Sequence, residues 1–171
     1  MQRVFLLATV AAGLLAAAGC AHRGATPVRP CRAKELTARL VPNGATGSIV
    51  LAVTFSKDGP PCTLRGYPKV ALLDRAGRPL ADVETVRVPR LAGVKGPAVV
   101  GGRRRSLLFL QWREWCGRKL GPNPHDVRLS LRIELRRRGA LAVPFRTAPP
   151  RCDEPGLRST LAVAPFTQAT Q

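Results

Sequence analysis

The 171-residue chain predicts an all-β fold, an antiparallel β-sandwich of seven to eight short strands held by two disulfides. Three observations predict it. Residues 127–135 (VRLSLRIEL) alternate strictly, with Val127, Leu129, Leu131, Ile133 and Leu135 separated by Arg128, Ser130, Arg132 and Glu134. As a helix these apolar residues would spread around the cylinder; as a strand they make one buried face. Second, turn-forming residues punctuate the apolar runs at short intervals, and no segment carries a convincing helical period. Third, four cysteines are spaced widely through the body of the chain, as in exported, disulfide-bonded proteins.

Taken in order, the N-terminus is an address. Met1-Gln-Arg3 is a short positive segment, and Val4 to Ala18 is an apolar run of 15 residues. That run is short for a bilayer span and small residues follow it, so residues 1–19 are expected to be a secretory signal. It ends Leu15-Ala-Ala-Ala-Gly-Cys20, which resembles the bacterial lipobox. The resemblance implies diacylglyceryl transfer to the Cys20 thiol and cleavage between Gly19 and Cys20; a thiolate is the good nucleophile at that place. The alternative is an ordinary signal cleaved after Ala18. Residues 20–30, including the unpatterned AHRGATPVRP of 21–30, are expected to be the lipidated N-terminus and a flexible tether. Ten extended residues reach at most about 33 Å, which keeps the folded part near the membrane.

Strands are expected at 36–41, 48–55, 69–73, 83–88, 106–112, 127–135, 140–145 and 160–166. Ile49, Leu51, Val53 and Phe55 form the apolar side of the second; Leu108, Leu110 and Trp112 form that of the fifth. Turns are expected at Pro42-Asn-Gly44, Asp58-Gly-Pro-Pro61, Asp74-Arg-Ala-Gly77, Gly101-Gly102 and Arg138-Gly139. The domain is expected to span 31–166, with 167–171 a disordered tail. LAGVKGPAVV at 91–100 reads either as a groove wall or as a lid on the core.

Cys31, Cys62, Cys116 and Cys152 allow three pairings. If neighbouring strands run up and down, the start of the first lies beside the end of the second. That brings Cys31 to Cys62 at one pole and Cys116 to Cys152 at the other. No pair has C-x-x-C spacing, and Lys119 stands where a thioredoxin-type partner of Cys116 would be, so zinc and redox sites are poorly supported.

Three segments then combine: Cys62-Thr-Leu-Arg-Gly-Tyr-Pro-Lys-Val-Ala-Leu-Leu-Asp74, Trp115-Cys-Gly117, and Pro150-Arg-Cys-Asp-Glu-Pro-Gly156 followed by Ser159-Thr-Leu-Ala-Val163. In that order they resemble the actinobacterial secreted and lipoprotein family known as domain of unknown function 4232, over about residues 31–166. The resemblance implies an immunoglobulin-like sandwich outside the cytoplasm, and no activity. The loop Gly117–His125 and the dense arginines depart from the pattern. Within Arg65-Gly-Tyr-Pro68, Gly66 permits a left-handed turn and Tyr67 is expected to close one end of the core, its hydroxyl bonded to backbone.

Lys and Arg number 28 against 10 Asp and Glu, a net charge of +18, and 23 of the basic residues are Arg. Ala, Gly, Pro and Arg dominate the composition, so coding bias accounts for part of this charge. Two clusters stand out, Arg103-Arg-Arg105 and Arg136-Arg-Arg138. Strand parity puts both at the pole of Cys31, where they are candidates for contact with anionic lipid headgroups or envelope polymers. The plainer reading is turns kept soluble by charge. No aromatics interleave with the arginines and export removes the usual partners, so nucleic-acid binding is not expected.

Catalysis is poorly supported. His125, in Asn123-Pro-His-Asp126, is one of two histidines, and Ser106, Ser130 and Ser159 carry no elbow motif. The acids are scattered rather than paired. The expected function is a membrane-anchored, extracytoplasmic lipoprotein acting as a non-catalytic binding or envelope module, with no cofactor and no metal. The alternatives are an envelope hydrolase using the His125 loop and a solute- or metal-binding lipoprotein with a pocket near Trp112 and Trp115. Intact-mass analysis of protein extracted from membranes should give a chain beginning at acylated Cys20; a chain that retains Met1 and free thiols contradicts the leader reading.

Overall fold

In the computed structural model the described residues are 27–45, 47–89, 97–117 and 119–169. Cys20, the leader, most of the tether and residues 90–96 lie outside them. The strands are β1 (Thr37–Ala45), β2 (Ser48–Ser56), β3 (Cys62–Leu64), β4 (Lys69–Leu73), β5 (Val83–Arg87), β6 (Ala98–Val100), β7 (Ser106–Arg113), β8 (Val127–Glu134), β9 (Ala140–Thr147), β10 (Ser159–Val163) and β11 (Thr167–Gln168). One 3-10 turn, Ala33–Glu35, precedes β1.

The main sheet has the order β1-β2-β7-β10-β5, with β11 also on β7, and the second has the order β4-β8-β9. The apolar sides of the two face each other. Leu51, Val53, Phe55, Leu108, Leu110 and Trp112 from the first meet Val127, Leu129, Leu131 and Ile133 from the second in one core. The alternation read from the sequence explains this directly: a period of two puts every second residue of β2, β7 and β8 on the inner face. Phe55 and Phe166 meet edge to face at 5.5 Å, sealing the core under the short ladder of β3 with β6. Leu51, Val53 and Phe55 are fully buried, each contributing about 1.5–3 kcal/mol of transfer free energy. The described residues thus share one hydrophobic core, with the Cys31–Cys62 disulfide inside it.

Several expectations are corrected. Pro42-Asn-Gly44 is not a turn. These residues continue β1, paired to Leu51, Val50 and Ile49. Proline is tolerated there because β1 is an edge strand, where a missing donor costs no ladder bond. The reversal falls instead at Gly47, whose φ of 68° is the left-handed value a glycine accepts. The sheet is not wholly antiparallel: β5 joins β10 in parallel, because a crossover through β6–β9 separates them. β3 and β6 are three-residue strands, too short to show a period, and β6 takes the end of the expected 91–100 lid. The tail expected from 167 is partly strand: Thr167 and Gln168 pair with Leu107 and Ser106, and the Gln168 amide bonds Val99 and Arg105 carbonyls.

Both disulfides pair as strand parity predicted, Cys31–Cys62 and Cys116–Cys152. The first is buried in the core and the second lies at the surface. The Cys31–Cys62 bond spans a separation of 31 residues, for which chain entropy gives at most about 4 kcal/mol. Urea denaturation of a Cys31→Ala/Cys62→Ala variant should show the unfolding free energy lowered by up to that amount with a cooperative transition retained.

Candidate functional site

Strand direction sorts the surface charges to two poles. β1, β4, β7 and β9 leave one pole, and β2, β5, β8 and β10 return to it. The first pole carries the chain entry at Pro30, the β2–β3 loop, the β3–β4 corner, the β6–β7 turn and the β8–β9 turn. The second carries the Cys116–Cys152 bond and the long loops around it.

At the entry pole the backbone is tightly fixed. Cys31 N–H donates to Thr63 O at 3.0 Å, and Thr63 N–H donates to Arg29 O at 2.9 Å, so the segment before Cys31 runs as a strand-like rung on β3. Ala33 N–H donates to Arg138 O at 2.9 Å, tying the 3-10 turn to the β8–β9 turn. That turn closes through Arg138 N–H to Leu135 O and Leu135 N–H to Gly139 O, with Arg137 left-handed at φ 55°. The β6–β7 turn closes through reciprocal backbone bonds of Gly101 and Arg104. Gly101 is obligatory there, because a Cβ would lie 2.7 Å from Pro61 Cα.

All six arginines singled out from sequence, Arg103, Arg104, Arg105, Arg136, Arg137 and Arg138, are exposed at this pole. Sequence reasoning missed their company. Arg29, Arg32 and Lys34 around the 3-10 turn, Lys57 in the β2–β3 loop, and Arg65 and Lys69 flanking the corner join them. Against these twelve cations stand three carboxylates, Glu35, Asp58 and Glu134. Seven of the ten acids lie instead toward the other pole: Asp74, Asp82, Glu84, Glu114, Asp126, Asp153 and Glu154. Eight described cations accompany them there, so the net positive charge of the described domain is concentrated beside the chain entry.

Glu35 is a structural partner rather than a ligand. Its carboxylate accepts both terminal nitrogens of Arg29, at 2.9 and 3.0 Å, and that hydrogen bond holds its pKa below the ordinary carboxylate value. Asp74 is lowered chiefly by the Arg78 backbone N–H, with the Arg78 side chain and Ala76 N–H adding to it. The cations around Glu35 divide differently. Arg32, Lys34, Arg136, Arg137 and Arg138 line one open depression of about 790 Å³, with Ala33, Gly139, Ala140 and Leu141 as its remaining wall. No carboxylate lines it.

The other expected sites dissolve. The His125 backbone N–H donates to Asn123 Oδ1, while the adjacent Asp126 carboxylate accepts from Arg146 at 3.0 Å. Trp112 is fully buried, its indole N–H donating to Ser159 Oγ at 2.8 Å, and Ser159 in turn donates to Arg113 O. Trp115 packs edge to face on it at 5.6 Å. The two tryptophans therefore fill the core rather than line a ligand pocket. An open hollow of about 580 Å³ beside Cys116 is lined by residues 81–84 and 156–159 with Gly117, not by the tryptophans. Among the described residues no three His, Cys, Asp or Glu side chains gather as a metal site, and no helix is long and apolar enough to cross a membrane. Tyr67 donates to Val88 O at 3.0 Å as expected, but its ring is 37% exposed under Arg87, so it forms a rim rather than a core plug.

The molecule is thus an all-β, doubly disulfide-bonded domain of a kind at home in an exported, oxidising setting. Residues 31–97 match the family model described as Domain of unknown function (DUF4232). The match ends before β6, while the fold continues the same sandwich through β11. No curated protein and no solved structure matches the chain.

Because the folded Glu35 and Asp74 pKa values are depressed, their stabilisation is full above the ordinary carboxylate pKa and is lost as pH falls through the folded values. Thermal midpoints should therefore decline between about pH 5 and pH 3, and Glu35→Gln should flatten part of that decline.

Proposed function

We propose that this chain is an exported lipoprotein, acylated at Cys20, whose sandwich is a non-catalytic binding or envelope module set basic pole first against the outer face of the cell membrane. The observation that carries the reading is the shared pole: the tether enters the fold beside both arginine clusters, and most of the acids lie at the opposite end. With Pro30 fixed on Thr63, the ten residues 21–30 that follow Cys20 reach at most about 33 Å. A diacylglyceryl anchor on that length of chain keeps the basic pole nearest the headgroups. Each Lys or Arg close to an anionic surface contributes about 1 kcal/mol, and the attraction decays within about 10 Å at moderate salt. The two acyl chains of the diacylglyceryl group supply the anchoring, and the basic pole adds orientation to it.

The hydrolase reading has less behind it. His125 is exposed, its neighbouring carboxylate is committed to Arg146, and no described hydroxyl bonds its ring. A solute-binding role loses its expected pocket, since Trp112 and Trp115 are packed inside.

The test is co-sedimentation of unlipidated residues 21–171 with phosphatidylglycerol-containing vesicles. Binding should fall at least about tenfold when salt rises from low to several times physiological ionic strength. Binding that ignores salt, or no binding to any anionic vesicle, contradicts the proposal.

A further inference from the structure

The arginines at the entry pole are not equivalent. Arg29 is committed to Glu35, and Arg132, on the strand leading to the β8–β9 turn, is committed to Glu134 at 2.9 Å. Arg103, Arg104 and Arg105 project from an exposed turn that lines none of the depression beside the 3-10 turn. Arg32, Lys34, Arg136, Arg137 and Arg138 instead surround that depression, and no described carboxylate pairs with any of the five.

The walls that carry them are rigid. The 3-10 turn follows the buried Cys31–Cys62 bond by one residue and is hydrogen-bonded to Arg138. The left-handed Arg137 and Gly139 fold the opposite wall into a turn that closes on Leu135. Ala33, Ala140 and Leu141 add a small apolar lining, which lowers the local dielectric and strengthens attraction for an anion. Four guanidinium forks and one ammonium on fixed backbone suit a planar-faced oxyanion, and a phosphate accepts such forks in bidentate fashion.

We infer that this depression is a defined seat for the phosphate of an anionic glycerophospholipid headgroup, whereas Arg103–Arg105 supply only diffuse attraction. The inference rests on the membrane-facing reading above and deepens it: that reading needs positive charge at the pole, while this one needs guanidinium geometry at one place in it. Of the two sources of such a phosphate, lipid or soluble ester, the tether favours lipid, because it enters the fold through Arg29 and Pro30, immediately before Arg32.

The experiment compares three proteins, all residues 21–171, on phosphatidylglycerol vesicles at fixed salt: the parent, Arg136→Lys/Arg137→Lys/Arg138→Lys, and Arg103→Lys/Arg104→Lys/Arg105→Lys. All three carry the same net charge, so diffuse attraction is held constant. The first substitution should weaken binding at least about fivefold and the second less than about twofold, because lysine keeps the charge and loses the fork. The single variant Arg137→Lys should weaken binding in the same direction, which keeps the test open if the triple variant melts early. Equal, small effects from both triples overturn the seat and leave the membrane reading standing. A parent that binds no anionic vesicle overturns the membrane reading itself. If soluble glycerol 3-phosphate shifts the Arg136–Arg138 resonances of a parent that ignores vesicles, the lipid assignment is overturned in favour of a soluble phosphate ester.

Discussion

Everything in this molecule that bears on orientation depends on how the chain enters the sandwich. Cys31 is bonded to Cys62 in the core, the backbone of Arg29 and Cys31 is hydrogen-bonded to Thr63 of β3, and Ala33 N–H donates to Arg138 O. The chain before Cys31 therefore enters the fold at that place. Because β2, β8 and β10 all return to the same pole, the turns that end them share it with the entry point. A covalent crosslink and an up-and-down topology thus put the twelve cations where the chain enters the fold, without any one of them needing to contact another.

The sheets were the most legible part of the sequence. β2, β7 and β8 each bury one side and expose the other, so a period of two was visible in their residues. Both disulfides followed from the same parity. What was hidden has physical reasons. β3, β6 and β11 have three residues or fewer, below the length at which a period can show. Pro42-Asn-Gly44 has the composition of a turn, yet an edge strand accepts it because its outward backbone groups face water. The parallel pairing of β5 with β10 joins segments more than seventy residues apart, which local sequence does not encode.

The basic pole was half legible. Arg103–Arg105 and Arg136–Arg138 are conspicuous as runs, whereas Arg32 and Lys34 stand singly in the sequence. They become part of a cavity wall only through Ala33 N–H to Arg138 O, a tertiary bond. The distribution of acids was equally hidden, since the seven at the far pole come from five separate loops and strand ends. Conversely, a pocket near the tryptophans was one alternative, and both serve packing: the buried indole of Trp112 finds its one required acceptor in Ser159.

The central claim is one of orientation, and amide hydrogen exchange of the acylated protein, with and without anionic vesicles, tests it most directly. The account predicts slower exchange at residues 32–35 and 135–139 when vesicles are present, with 119–126 and 151–158 unchanged. Protection confined to the loops around Cys116–Cys152, or spread evenly over both poles, would contradict it.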